Sequence, residues 1–175
     1  MRTIKFKGIW FEDGSWVHGE FVRKVQHWRS CIDGHVTHVE NYDYIVNQDE
    51  IDNLKYHQVH PSSICQFTGL TDKNGKEIYE GDVLRSDSYP YSCLEDNERD
   101  NYYAVVYYFE EGAFFGIVTA VNPDSKVCGI SDGIGDDVQK EKMKNFEVVG
   151  NIHEEKWQQY GEYFKTEEGK EADND

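Results

Sequence analysis

The chain has 175 residues, 38% hydrophobic and 14% aromatic, with a formal net charge of -16 and a pI near 4.7. Its length suits one ordinary domain or two small ones. So acidic a surface repels a phosphate backbone or an anionic membrane unless a local basic patch exists, which disfavours nucleic acid as a partner. The charge is uneven: residues 1–60 hold seven Lys and Arg against nine Asp and Glu, a balance of -2, leaving -14 for the remainder. Twelve Tyr, nine Phe and four Trp supply the burial that a modest aliphatic content does not, and argue against general disorder. Cys31, Cys65, Cys93 and Cys128 are widely spaced, with neither a disulfide framework nor a Cys-x-x-Cys motif. No apolar run approaches the ~18–20 residues of a membrane span. The N-terminus alternates polar and apolar residues where a signal peptide would be continuously apolar. A cytoplasmic protein is expected.

Residues 4–10 alternate as a first strand, and Asp13-Gly14 is a hairpin turn leading to a second strand over 16–22. A second hairpin, 26–32 with 35–39, flanks Asp33-Gly34, and residues 42–46 form a fifth strand. This meander has the spacing of an all-β barrel or sandwich. Residues 49–56 suit one or two helical turns, ended by His60-Pro61. Residues 66–84 are the most legible stretch. Asp72-Lys73-Asn74-Gly75 is a tight turn, Gly81-Asp82 a second bend, and Val83-Leu84 opens a strand. The polar segment 86–101 reads as an exposed insertion.

Residues 102–109 make the strongest strand: seven of eight are β-branched or aromatic. Both faces are apolar, so this strand is either central or covered by a partner chain. Residues 113–121 return antiparallel to it, 132–137 form an acidic glycine-rich loop, and 146–152 are a last strand. Residues 154–164 suit a short helix, weakened by Gly161 and followed by an acidic disordered tail.

Several constellations invite a chemical reading. His35 with His38 and His57 with His60 form two His-x-x-His pairs near Cys31. On a helix such spacing could hold zinc, but on a strand positions i and i+3 face opposite ways. Asp72-x-Asn74-Gly75 echoes a calcium loop but places Gly at the fourth position and Lys76 where an oxygen ligand is needed. Asp132, Asp136 and Asp137 suit a solvated loop. Gly133-Ile134-Gly135, among carboxylates, is unsuited to phosphate. No Gly-x-Ser-x-Gly elbow occurs. The tyrosines of 102–109 could stack bases, yet no Lys or Arg interleaves them. Arg23, Lys24, His27, Trp28 and Arg29 are the best nucleic-acid candidates in the near-neutral N-terminal part. Neither a catalytic residue nor a cofactor is expected.

Residues 66–84 follow the pattern Gln-x-Thr-Gly-Leu-x-Asp-x-Asn-Gly-Lys-x-Ile-Tyr-x-Gly-Asp-hydrophobic, which resembles the signature of the YopX family of phage and prophage proteins. Residues 4–10 resemble the family's opening strand, where Arg is more usual than Lys7, and residues 146–154 resemble its closing strand. The resemblance spans residues 1–154, outside the 86–101 insertion and the acidic tail. It implies a β-rich fold with an SH3-like barrel in the C-terminal half, self-association, and a role in the cytoplasm of a bacterial host. It carries no catalytic residues across.

The expected fold is therefore mainly β. A β-meander over 1–60 precedes an SH3-like β-barrel over 61–153, then a short helix and disordered tail over 154–175. Thr68, Gly69, Asp72, Asn74, Gly75, Ile78, Tyr79, Gly81 and Asp82 are expected to act structurally, setting bends and filling the barrel. The expected function is that of a phage or prophage accessory protein working by binding and self-association, as a homo-oligomer or with a host or phage protein. The alternatives are a metal-dependent hydrolase built on the His-x-x-His pairs and a nucleic-acid-associated or DNA-mimicking protein.

Overall fold

The computed structural model describes residues 4–48, 53–86, 102–109, 114–121, 131–133 and 143–158. The insertion over 87–101, the acidic loop beyond Gly133 and the tail lie outside them. The chain divides into two compact units, residues 1–67 and 68–175.

The first unit is an antiparallel sheet. It contains β1 (Phe6–Ile9), β2 (Trp16–Arg29), β3 (Val36–Gln48), β4 (Leu54–Gln58) and the start of β5 (Cys65–Thr71), in the order β4-β3-β2-β1-β5. Four predicted strands merge here into two long ones. The polar Arg23-Lys24 and Asn41 positions read as breaks in sequence, yet Arg23 stands directly opposite Asp43. Its guanidinium donates to both carboxylate oxygens, at 2.6 and 2.9 Å. A cross-strand charge pair of this kind carries a strand through a polar position. The helical turns expected at 49–56 are corrected for the described part: Leu54–Gln58 is a strand paired with Tyr44–Gln48 of β3, its pairing overriding local propensity. Pro61–Ser63 forms a 3-10 turn. Ile45 and Val59 are fully buried. Lys7 is buried too, its ammonium 4.6 Å from the Trp16 ring centre.

The second unit begins inside β5, whose later part pairs with β6 (Glu77–Tyr79). Its main sheet holds β7 (Asp82–Ser86), β8 (Tyr102–Phe109), β9 (Phe114–Val121), β10 (Ser131–Gly133) and β11 (Glu147–Asn151), in the order β10-β9-β8-β7-β11. The barrel expected over 61–153 is thus corrected to an open antiparallel sheet. Closure needs the two end strands to pair, and among the described residues three-residue β10 and bulged β11 are opposite edges. Alternation along the central strands builds two apolar clusters. Leu84, Ala104 and Val106 meet Ile78, Met143, Phe146 and Val148 on one face, while Val83 and Val105 meet Trp157 on the other. The doubly apolar strand predicted at 102–109 is therefore central, with Ala104, Val105 and Val106 wholly buried within its own unit. Of the helix expected over 154–164, the described part is a 3-10 turn, Glu155–Trp157, with Gln158 in helical backbone conformation; the rest lies outside the described residues.

Candidate functional site

The signature stretch is a pair of carboxylate-organised bends. Asp72, buried at the first, accepts from the amides of Asn74 (2.8 Å) and Lys76 (2.9 Å) through Oδ1. Its Oδ2 accepts from the Val148 amide of β11 at 2.9 Å. Lys73 N donates to Phe146 O at 2.9 Å. One side chain thus closes the turn and ties it to a strand 76 residues further on. Gly75, at φ 81°, supplies the left-handed residue that the turn requires. Thr68 Oγ1 donates to Ile78 O at 2.8 Å, joining β5 to β6.

Asp82 organises the second bend. It is 1% exposed, and its Oδ2 accepts from the Tyr79 amide at 2.8 Å while Oδ1 accepts from Asn151 Nδ2 at 3.0 Å. Asn151 also donates to Glu80 O and accepts from the His153 amide. Gly81 donates to Val106 O and accepts from Ile152 N. Its φ of 73° and the Asn151 side chain 3.2 Å from an added Cβ favour glycine there. The Tyr79 hydroxyl donates to Glu77 at 2.7 Å. Burial, then the Glu77 carboxylate, hold its pKa well above the ordinary tyrosine value. Glu147 takes ion pairs from Lys73 and Arg85, both at 3.1 Å, and the Lys73 hydrogen bond foremost holds its carboxyl below the usual range. Gly69 (φ 90°) sits in β5 with open space beside it. The motif's two Asp carboxylates thus accept from main-chain and amide donors, an arrangement that builds structure.

The four histidines fall apart into separate settings. His35 and His38 are exposed at the end of the β2–β3 hairpin. The His57 ring lies edge-on to Trp10 at 4.8 Å, its nitrogens shielded from solvent without a hydrogen-bond partner among the described residues. The His60 ring is tilted by 39° against that of Phe11, with the ring centres 3.8 Å apart. Among the described residues no three His, Cys, Asp or Glu side chains come together as a metal cage would require. Cys31 is exposed and Cys65 buried.

Among the described residues a group of exposed apolar side chains lies elsewhere, on the distal part of β2 and β3. Beyond Gly19, β2 has left its partner β1, and before Tyr44, β3 has not yet met β4. Residues 23–43 therefore form a two-stranded ribbon, with Val22 at its base. Val22, Val25, Trp28, Ile32, Val36 and Val39 on it are all exposed.

The YopX family profile, described as YopX protein, matches residues 22–156. The chain belongs to the YopX family. No curated protein matches the chain. Among solved structures it is similar to the crystal structure of protein EF1440 from Enterococcus faecalis, at 18% identity and a TM-score of 0.37, over 90% of this chain and 99% of that one.

The YopX match takes in residues 22–43 of the hairpin, both bends and the closing strand. Inspection of the sequence singled out the bend residues but missed their distant partners. Asn151, which holds Asp82, sits in a strand that reads only as apolar. Gly150 underlies Trp157: a Cβ there would lie 2.0 Å from the indole nitrogen. A glycine inside a strand pattern is the available signal for such close approach. The ribbon was missed because its apolar residues look like ordinary strand positions; only the partners reached by β1 and β4 show that they are uncovered.

Proposed function

We propose that this YopX protein is a phage-type accessory protein of the bacterial host cytoplasm, acting by binding and self-association rather than by catalysis. The observation that carries the reading is the β2–β3 hairpin beyond Phe21, which displays six large hydrophobic side chains to solvent. Val22 and Trp28 lie on one face, Val25 and Val39 on the other and Ile32 at the tip, apolar groups that association would take out of water. The commitment of Asp72 and Asp82 to backbone and amide donors supports the same reading, since the signature then serves the fold. Light scattering on the purified chain at tens of micromolar tests it. The expected mass is a multiple of 20.4 kDa; a clean monomer would remove self-association from the proposal.

A further inference from the structure

We infer that Asn74-Gly75, at the first signature bend, is a self-modification site of this chain: Asn74 deamidates through a cyclic imide when the turn opens, and the closed Asp72 turn holds that reaction back.

Sequence and exposure supply the reactants. Asn74 is the one asparagine that glycine follows. Both residues are exposed, so water reaches them. A glycine nitrogen is the least hindered of main-chain nucleophiles, because its residue carries no Cβ. Beyond its chain neighbours, nothing stands within 4 Å of where a Cβ of Gly75 would be.

The chemistry needs only water as co-reactant. Gly75 N attacks Asn74 Cγ; the N–Cγ bond forms, the Cγ–Nδ2 bond breaks, and ammonia leaves with the amide proton. Water then opens the imide. Cleavage at Cγ gives aspartate. Cleavage at the main-chain carbonyl gives isoaspartate, whose backbone runs through Cγ and is one carbon longer. Either product adds a negative charge, and nothing is oxidised or reduced.

The folded turn withholds the nucleophile. Gly75 N donates to Asp72 O at 3.0 Å, and Asp72 N donates to Lys76 O at 2.8 Å. Asp72 Oδ1 takes the amides on either side of Gly75, those of Asn74 at 2.8 Å and Lys76 at 2.9 Å. Its Oδ2 is anchored on Val148 N at 2.9 Å. To attack, the Gly75 nitrogen must leave Asp72 O and turn toward Cγ, which displaces the amides flanking it. The reaction therefore waits on local opening of the turn. Once it has occurred, the turn cannot close as before. The longer isoaspartyl backbone no longer spaces the amides of residues 74 and 76 for a single carboxylate oxygen, so the link from Asp72 to Val148 loses its support.

The test is the conversion of amide to acid at residue 74, followed by peptide mass spectrometry on the full chain held at mildly alkaline pH. Folded wild type should convert at least about tenfold more slowly than the same chain in urea, since several hydrogen bonds must open first. Equal rates would overturn the protective turn, and an unfolded chain that keeps its Asn74 amide would overturn the site. Asp72→Ala, checked for folding by thermal unfolding, should convert several-fold faster than folded wild type. A folded variant that converts no faster would overturn the role given to Asp72. Amide exchange at Gly75 in the wild type needs no variant: it should be slowed by a factor similar to that for conversion, and an unprotected amide would contradict the inference. The isoaspartyl chain, separated by its added negative charge, should melt below its parent; an unchanged midpoint would count against the loss of the turn.

Discussion

Strand β8 and the β2–β3 ribbon both carry large apolar side chains on both faces, yet these end in opposite environments. In β8, Ala104 and Val106 are sealed by Phe146, Met143 and Ile78, and Val105 by Trp157. In the ribbon, Val22 and Trp28 on one face and Val25 and Val39 on the other meet solvent. The difference lies in the neighbours. β8 has β7 and β9 beside it and the signature bends and Trp157 above and below, while the ribbon outruns β1 at one edge and β4 at the other. An apolar strand says that a cover is required; it does not say whether the cover belongs to the same chain.

That contrast can be broken or sharpened by substitution. Phe146→Ala, in the sealed core, should cost about 3–5 kcal/mol of stability by urea unfolding, because a fully buried ring leaves a cavity. A loss as small as that of a surface change would mean that β8 is less enclosed than described. Asp72→Ala strips acceptors from three amides, one of them on β11, and should cost about 3 kcal/mol. Amide exchange at Val148 would report the released strand.

Tyr79→Phe should cost about 1 kcal/mol at neutral pH through loss of the Glu77 hydrogen bond. It should also change the alkaline limb of stability. The folded phenol is raised by burial and by Glu77, so its contribution is complete below the unfolded value of about 10 and is lost as pH rises from there toward the folded value. The variant should therefore lose stability less steeply above that pH than wild type; identical limbs would contradict the assignment. Val25→Ala on the ribbon should change the stability of the dissociated chain by less than about 0.5 kcal/mol. A core-sized loss in dilute solution would show that the ribbon is covered within the monomer.

Much of the fold was legible from residues. Asp13-Gly14 and Asp33-Gly34 announced hairpins because the glycines supply positive φ and the aspartates bond the following backbone. The bends at Asp72–Gly75 and Gly81-Asp82 were legible for the same local reason. What failed was non-local. Arg23 falls between two predicted strands because its pairing with Asp43 spans 20 residues of chain. Leu54–Gln58 looked helical because only β3 makes it a strand. The open edges of the second sheet were hidden because closure depends on which strands pair, which no single stretch records.

The sequence by itself determined the local conformers: mainly β structure, turns at the Asp-Gly and Asn-Gly steps, and a family signature whose glycines and aspartates shape bends. Those are properties of a few adjacent residues and their backbone dihedral angles. Tertiary structure alone decided that Asp72 and Asp82 are satisfied by Val148 and Asn151, that β8 is sealed, and that the ribbon is not. Burial and hydrogen-bond satisfaction depend on groups brought together from distant parts of the chain.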